Sequence, residues 1–329
     1  MAATMTLEQE MEAHRSALTG YCYRMIGSGS EAEDAVQETM VRAWRAADKL
    51  QARGALKAWL FKIANNVCLD MLQSAQRRAQ PMDLGPSQDA GAALGAPLVE
   101  SAWVRPIPDG ALDPAEVAAE RETLRLAFVA ALQHLPPRQR AVLILREVLR
   151  WQATEVAELL ETSVASVNSA LQRARATIEQ LELDAGAAPA AVDDAEQREL
   201  LAGYVEAFER YDIASLVKLL HDDAAFSMPP FPLWVRGPEQ IHAFMTGTGA
   251  QCEGSRLLVT RANGGPAVAI YNPTEDGYTP WAIVVLEMSD GAITGLHHFI
   301  YPELFAEFGL PPRLEREDAG QPHELQQRA

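Results

Sequence analysis

The chain is poor in cysteine. Its 329 residues include three, Cys22, Cys68 and Cys252, which lie far apart and form no C-x-x-C pair. The spacing therefore gives no indication of a zinc site or a redox-active dithiol, and it favours a reducing cytoplasm. We expect neither a metal nor another cofactor.

Long apolar runs are also missing. The longest candidate, residues 281–286, has the length of a strand and falls short of the roughly 18 apolar residues that indicate a membrane helix. The N-terminal residues have neither the basic start nor the apolar core of a secretion signal. We therefore expect a cytoplasmic protein that makes no contact with a membrane.

Positive charge is scarce and unevenly placed. Lys and Arg number 28 against 45 Asp and Glu, a net charge of −17, of which residues 1–183 contribute −4 and residues 184–329 contribute −13. Affinity for phosphates comes from Lys and Arg displacing counterions, so we expect the chain to bind naked DNA poorly. Any DNA reading must use local basic faces, such as residues 53–78 with a balance of +4, and a partner that supplies most of the affinity.

Apolar periodicity predicts two helical parts. In the first part, a Ser30–Glu33 pair predicts a capping box at the start of one helix. The stretch between the parts is rich in Ala, Gly and Pro, although its segment 103–109 is too aromatic for a purely flexible spacer. The predicted divisions are a helical domain at 1–78, a linker at 79–113, a helical domain at 114–183, a linker at 184–191, an α+β domain at 192–311 and a flexible tail at 312–329.

The last third of the chain has a different pattern. After a helical stretch at 195–220, strand-like segments flank Asn263-Gly264-Gly265 and Ser289-Asp290-Gly291, which are hairpin signals. A helix followed by hairpins predicts a small α+β domain. The expected fold class is thus two all-α domains followed by an α+β domain.

The sharpest local pattern is a helix-turn-helix at 152–175. Val156, Ala157 and Leu160 predict the inner face of a first helix, and Ser163 or Thr162 is suited to cap a second one. The second helix of such a motif enters the major groove, where Asn and Gln can pair with adenine and Arg with guanine or phosphate. Glu161 occupies the place where a turn glycine is expected, and an ordinary helical hairpin with a polar face is the alternative. The inner face of the second helix is predicted to hold Val164, Val167 and Leu171, and its outward face Ser166, Asn168, Ser169, Gln172, Arg173 and Arg175.

Several motifs in fixed order resemble a known family. Residues 33–38 read Glu-Asp-Ala-Val-Gln-Glu and are followed by Trp44, residues 59–66 read Trp-Leu-Phe-Lys-Ile-Ala-Asn-Asn, and residues 135–140 read Leu-Pro-Pro-Arg-Gln-Arg ahead of the helix-turn-helix. Together they resemble the extracytoplasmic-function group of bacterial sigma factors. The resemblance implies a promoter-recognition factor whose partners are core RNA polymerase and promoter DNA, and which is not an enzyme.

The resemblance also implies roles for individual residues. Asp34, Gln37 and Glu38 match the motif that grips the clamp helices of the polymerase, although charge patterning alone would favour a solvated helix face. Residues 53–78 match the segment that opens the −10 element, and residues 152–175 match the reader of the −35 element. The expected −10 contacts are Lys57, Lys62, Asn66, Asp70, Arg77 and Arg78, whereas Trp59 is expected in the core.

Residues 192–311 resemble the SnoaL-like domain, an α+β cone related to polyketide cyclases and ketosteroid isomerases. The resemblance rests on Tyr204, Phe208 and Tyr211, on the 219–223 segment and on the closing hairpin at 290–293. Catalysis of that type needs a carboxylate base in an apolar pocket. The candidate groups, His221, Asp222, Asp223, Tyr271, Tyr278 and His297, form no recognisable motif. Strand alternation predicts that, of His297 and His298, one is core and the other solvated.

Three functions remain open at this point. The first is a polymerase-dependent promoter-recognition factor whose fused SnoaL-like domain regulates it, with intramolecular docking of the −13 region on basic DNA-facing surfaces as the suggested route. The second is a stand-alone helix-turn-helix regulator that senses a small ligand through that domain. The third is a SnoaL-type enzyme with helical appendages. The motifs at 34–38 and 59–66 favour the first, because a stand-alone repressor needs no polymerase-binding site.

Overall fold

The computed structural model describes residues 5–50, 52–73, 77–185 and 194–316. Contacts divide the chain into two compact units, Met1–Arg78 with Val104–Ala187, and Ala79–Trp103 with Ala188–Ala329. The first unit is helical and the second contains a six-stranded sheet. The predicted fold class is therefore confirmed.

The first helical group packs on faces of small and apolar residues. α3 buries Ala32, Ala35 and Val36, and α4 buries Leu60 and Phe61. The capping box predicted at Ser30 is wrong, because the helix begins two residues earlier than that box requires, at Gly29, and Ser28 takes the N-cap position. The helices are α1 (Leu7–Glu12), α2 (Arg15–Ile26), α3 (Gly29–Arg45) and α4 (Leu56–Leu72).

The second helical group belongs to the same compact unit. Its helices are interrupted at Pro136-Pro137, where Pro137 opens α8, since proline is favoured at the first position of a helix. A π-helical turn, Ile144–Val148, follows α8. The helices are α6 (Pro114–Leu124), α7 (Leu126–Gln133), α8 (Pro137–Leu143), α9 (Ala153–Leu159) and α10 (Val164–Ala185), and α5 (Pro81–Leu84) precedes them in the second unit.

The second unit contains the α+β part, here called the cone domain (194–316). Its sheet has the strand order β2-β1-β6-β5-β4-β3, and every neighbouring pair is antiparallel except β1 with β6. The helices are α11 (Asp194–Glu209), α12 (Ile213–Leu216), α13 (Pro238–Thr246) and α14 (Leu304–Glu307). The strands are β1 (Leu220–Ser227), β2 (Trp234–Arg236), β3 (Arg256–Ala262), β4 (Gly265–Thr274), β5 (Gly277–Ser289) and β6 (Ala292–Phe299).

Both predicted hairpins are present, and their turn residues explain why. Asn263 and Gly264 have φ values of 56° and 74°, and Asp290 and Gly291 have 51° and 73°. Two successive positive φ values are those of a type I′ turn, for which Asn-Gly and Asp-Gly are preferred. The core lies between one face of this sheet and helices α11 to α13, and Tyr204, Phe226, Phe244 and Leu286 are among its members.

The stretch between the two helical groups is ordered and is divided between the units. Its first part lies on the cone domain, where the Gln88 amide donates to Trp234 O over 2.9 Å and the Ala90 amide donates to Gln240 Oε1 over 2.8 Å. Ala90 is buried in the core of that domain. Its second part lies in the first unit, where the Arg105 amide donates to Gly27 O over 2.9 Å.

Two predicted segments fall largely outside the described residues, namely the linker at 184–191 and, from residue 317 onward, the tail. Before that point Leu314 pairs with Tyr278 through backbone hydrogen bonds of 2.9 and 3.0 Å. Within the described ranges, none of the helices has the length and apolar character needed to cross a membrane.

Candidate functional site

The acidic motif of α3 forms an exposed stripe. Asp34, Gln37 and Glu38 lie at i, i+3 and i+4, and all three are exposed, while the opposite face of the helix is buried. The same stripe continues through half-buried Val41 to Trp44, whose exposed fraction is 64%. We call these five residues the α3 stripe. The sequence motifs include Trp44 but predict no role for it, and only the structure shows that its side chain is exposed on this stripe.

Asp70 lies beside this stripe. Arg42 donates to Glu38 Oε1 over 2.7 Å and to Asp70 Oδ2 over 3.1 Å, so one guanidinium joins α3 to α4. The hydrogen bond that Arg42 donates to Glu38 is the largest cause that raises the pKa of Arg42, and the one to Asp70 adds to it. Of the six expected −10 contacts, Asp70 therefore faces α3.

The two arginines that follow α4 are in different environments. Arg78 is buried, with 5% of its side chain exposed, and it pairs with Glu31 at the start of α3. Arg77 is exposed, and its Nη1 donates to His134 Nδ1 over 3.3 Å. In this conformation Arg78 holds helices together and does not present its guanidinium to solvent.

The remaining −10 candidates lie along α4. Lys62 Nζ donates to Glu161 Oε1 over 2.6 Å, and the Lys57 ammonium lies 5.9 Å from the ring centroid of Trp151. Asn66 is exposed. Trp59 is half-buried, whereas its neighbour Phe61 is the fully buried aromatic of this helix, so the expectation of a core position for Trp59 holds only in part. The structure thus brings Lys57 and Lys62 to the second helical group and leaves the six candidates on more than one surface.

The helix-turn-helix has the expected geometry. Val156 of α9 and Val167 of α10 are fully buried, and Ser163 Oγ accepts from the Ser166 amide over 3.1 Å as the N-cap. Glu161 has φ 51°, the left-handed conformation for which glycine is favoured. Two inner-face predictions differ, since Val164 is 38% exposed and Leu160 is half-buried while Leu159 is buried. The buried face of α9 therefore ends on Leu159, and Val164 at the start of α10 is not part of the buried face.

The outward face of α10 is open. All six predicted −35 residues are exposed. Arg173 donates to Ser169 Oγ over 2.7 Å, and Arg175 pairs with Glu147 over 2.6 Å. Asn168 and Gln172 show the amide groups that can pair with a base edge, so this face has the chemistry of a major-groove reader.

In the cone domain the candidate catalytic groups do not converge. His221, Asp222 and Asp223 are exposed, and Asp223 pairs with Arg236 over 3.1 Å. The Tyr271 hydroxyl donates to Pro311 O over 2.8 Å. None of these carboxylates lies in an apolar pocket, which a ketosteroid-isomerase-type base requires. Among the residues described, no group of three or more His, Cys, Asp or Glu could hold a metal ion.

The two adjacent histidines of β6 depart from the expectation. They face opposite sides of the sheet, but both are buried, with 3% and 2% of His297 and His298 exposed. The prediction that one is solvated is therefore wrong, because both faces of this central strand are covered. His298 packs on Phe226 with ring centroids 4.5 Å apart. Burial lowers its pKa to about 3, while a hydrogen bond to the Leu296 backbone opposes this shift and His297 adds to it.

His297 belongs to a buried polar network on the other face. Its Nδ1 lies 2.9 Å from Ser227 Oγ and its Nε2 lies 3.5 Å from Glu287 Oε2. Gly295 makes room for this network, since a Cβ there would lie 2.7 Å from His297 Nε2. The sequence indicates His297 as a candidate but neither of its partners, which come from β1 and β5.

Comparisons with known proteins agree with this arrangement. The chain matches the family models Sigma-70 region 2 over residues 11–78, Sigma-70 region 4 over 125–178 and SnoaL-like domain over 201–296. It is 43% identical over 312 residues to the ECF RNA polymerase sigma factor SigG of Mycobacterium tuberculosis, covering 92% of this chain and 83% of that protein. The chain belongs to the extracytoplasmic-function RNA polymerase sigma factors.

A solved structure supports the same assignment. This sigma factor is similar to the crystal structure of SigJ of M. tuberculosis, with a TM-score of 0.61 and 25% identity over 92% of this chain and 99% of that one. The SigJ sequence is 28% identical over 319 residues. As a member of this family the chain acts with core RNA polymerase on promoter DNA and is not an enzyme. The family that these motifs suggested is thus confirmed.

Proposed function

We propose that the α3 stripe is the polymerase contact of this sigma factor and that α10 reads the −35 element. The proposal that the chain directs promoter-specific initiation is carried by one observation, the presence of both sigma regions within a 43% identity that spans 92% of the chain. Because core RNA polymerase is a cytoplasmic enzyme, we place the protein in the cytoplasm, and its three buried free cysteines agree with that compartment.

Exposure and chemistry support the polymerase contact. Interface hot spots are enriched in Trp, and Trp44 is exposed on the same helix face as Asp34, Gln37 and Glu38. We expect Trp44→Ala, and Asp34→Ala combined with Gln37→Ala, each to weaken binding to core polymerase by about 2 kcal/mol, roughly 30-fold.

The measurement is a titration of labelled full-length protein with core polymerase, with circular dichroism to verify folding. Asp48→Ala is the control, since Asp48 is exposed just beyond the end of α3 and lies outside the stripe. Normal polymerase affinity in both stripe variants would contradict the assignment.

The −35 assignment has a separate test. Asn168→Ala should change promoter choice at the base that Asn168 contacts and cost about 1–3 kcal/mol there if the contact is bidentate. Transcription from a promoter library with core polymerase measures this, and Glu179→Ala, exposed further along the same helix, is the control. Equal loss at every promoter would instead mean that Asn168 has a structural role.

We propose that the basic residues of α4 and of the segment after it contact the −10 element. Capture of a melted strand needs a positive groove and surfaces on which bases stack. The balance of +4 over residues 53–78 meets the first need, and Lys57, Lys62 and Asn66 lie on one helix. These residues, with Asp70, Arg77 and Arg78, are proposed to hold the single strand once the two helical groups have separated.

We infer that the cone domain regulates the sigma factor and does not catalyse a reaction. The scattered candidate groups and the −13 charge of residues 184–329 support this role. The test compares transcription by the full chain and by a chain ending near Ala191, each with core polymerase. Unchanged promoter output from the truncated chain would remove the regulatory role. If a small ligand changed the binding of the chain to DNA in the absence of polymerase, the stand-alone regulator would be favoured instead.

A further inference from the structure

The first compact unit contains a cavity of about 360 Å³, formed by the ends of α2 and α4 and by the segment from Gln133 to Arg140. Small-molecule sites have volumes of about 300–1,000 Å³ and combine apolar side chains with a few polar groups. The cavity has the size of such a site. Its apolar lining consists of Ile26, Met71, Leu72, Leu135, Pro136 and Pro137.

The polar lining of this cavity is positively charged, although the chain as a whole is acidic. Three arginines, Arg77, Arg78 and Arg140, stand against one carboxylate, Glu31, a formal balance of +2 where the whole chain has −17. Arg78 pairs with Glu31, so its charge is offset. Among the residues that the structure describes, neither Arg77 nor Arg140 pairs with a carboxylate. The cavity therefore contains two cations that lack a counter-charge from the described chain.

Arg140 is the buried cation, with an exposed fraction of 4%. Its Nη1 donates to Met25 O and, over 2.6 Å, to Gln133 Oε1, and its Nη2 donates to Gln133 O and Leu135 O over 3.2 Å each. Its Nε has no hydrogen-bond partner within the described residues. Burial lowers the pKa of Arg140 to about 10. A buried cation that only neutral oxygens solvate is costly, and a negative charge in the cavity would offset that cost.

Arg77 is the accessible cation of the same cavity. It is exposed, and its Nη1 donates to Nδ1 of His134, another lining residue, over 3.3 Å. A guanidinium presents a planar fork that matches the two oxygens of a carboxylate. An exposed guanidinium beside an apolar lining suits a ligand that has an anionic head and an apolar body.

We propose that this cavity binds a small organic carboxylate, whose head pairs with Arg77 and whose apolar body packs on Ile26, Met71 and Leu72. A fully hydrated ion such as inorganic phosphate would gain nothing from the apolar lining and would lose water there. The site lies outside the cone domain and away from the α10 face. A ligand held by Arg77 would also withhold that cation from the −10 element, and this consequence, unlike the site itself, rests on the proposed role of Arg77.

The test is a calorimetric titration of the full chain with sodium naphthoate, an aromatic carboxylate. Naphthylmethanol retains the apolar body without the charge, and acetate retains the charge without the body. We expect naphthoate to bind, and each of the two analogues to bind about tenfold more weakly or worse, because each lacks one of the two interactions. This comparison uses the wild type alone, so it does not depend on the folding of any variant.

A variant assigns the charged contact. Arg77→Gln should weaken naphthoate binding by about tenfold, the loss expected for one charge-assisted hydrogen bond. Arg138→Gln is the matched control, since it makes the same charge change at an exposed position of α8 that does not line the cavity. Equal losses in the two variants would mean that Arg77 acts only through the general charge of the protein, and would overturn its assigned contact.

Hydrogen exchange locates the bound naphthoate. We expect protection in peptides that span residues 133–140, and unchanged exchange in the strands of the cone domain. Protection confined to the cone domain, or no binding of naphthoate, would overturn the proposal.

The remaining outcomes separate the ligand from other classes. Equal affinity for naphthoate and naphthylmethanol would refute an anionic ligand. Inorganic phosphate that binds as tightly as naphthoate would refute a role for the apolar lining and would assign the arginines to phosphate groups such as those of nucleic acid. Promoter-directed transcription with core polymerase, measured without naphthoate, tests the sigma function independently of all these results.

Discussion

The buried imidazole of His298 makes the stability of the cone domain depend on pH. In the folded protein this ring lies between Phe226 and Trp281 with centroids at 4.5 and 6.4 Å, and burial holds its pKa at about 3. In the unfolded chain a histidine titrates near pH 6.5. As the pH falls below 6.5, His298 therefore becomes protonated in the unfolded chain but stays neutral in the folded domain. The free energy of unfolding decreases as a result.

The size of the effect follows from the two pKa values. Above pH 7 both states are neutral and the ring contributes no pH dependence. Between pH 7 and pH 5 the linkage predicts a loss of about 2 kcal/mol, rising to about 5 kcal/mol below pH 3. Replacing His298 by Leu, a side chain of similar volume, should remove this term.

The assay is urea unfolding of the full chain at pH 7 and pH 5, read by hydrogen exchange in peptides from β5 and β6. The informative quantity is the difference between the wild type and His298→Leu, because other titrating groups cancel in it. His242→Leu, at a half-buried position of α13, is the matched control. If the difference in free energy of unfolding between the wild type and His298→Leu is the same at both pH values, the idea that burial keeps this ring neutral is refuted.

Two further predictions concern packing. Gly295→Ala would place a Cβ 2.7 Å from His297 Nε2 and 3.1 Å from Glu287 Cβ, and should destabilise the cone domain by about 1–3 kcal/mol in thermal unfolding. Gly203→Ala in α11, where the Cβ meets Leu219 at an ordinary 3.4 Å, should be neutral or stabilising, and equal losses in both would contradict the steric argument. Arg140→Met would leave buried carbonyl oxygens without a donor and should cost about 3 kcal/mol or more in urea unfolding of the first unit, whereas a loss under 1 kcal/mol would mean that the residues around it repack.

Local patterns in the sequence predicted most of the helices and both hairpins. Each of these depends on residues close in the chain, such as the apolar spacing of α4 or the Asn263-Gly264 turn with its positive φ values. β1 was not predicted as a strand, because it pairs in parallel with β6, about 70 residues later, and its exposed start at 221–223 lacks strand alternation. The path of residues 79–103 could not be predicted either, since the Ala90 amide donates a hydrogen bond to Gln240, 150 positions away in the chain.

The same distinction applies to the candidate site. The α10 face could be predicted because helical spacing alone decides which residues share it. The sequence could not predict which cations are available to DNA, because their partners are distant in the chain. Lys62 pairs with Glu161 at a separation of 99 residues, and Arg78 pairs with Glu31 at a separation of 47. One local signal did indicate something unusual, namely a glutamate in place of the turn glycine, and only the structure shows what its side chain contacts.

Ion pairs within the first unit give a physical reason why an acidic sigma factor needs its polymerase. Lys62, Arg175 and Arg53 lie within 2.6 Å of Glu161, Glu147 and Glu10, respectively. Before such a cation can hold a phosphate it must leave its carboxylate, so the net gain from DNA is smaller than the number of basic residues suggests. Each pair is exposed and therefore weak on its own, about 0–1 kcal/mol. Of these three pairs, Lys62–Glu161 joins the two helical groups, so a partner that separates the groups releases Lys62 for the promoter.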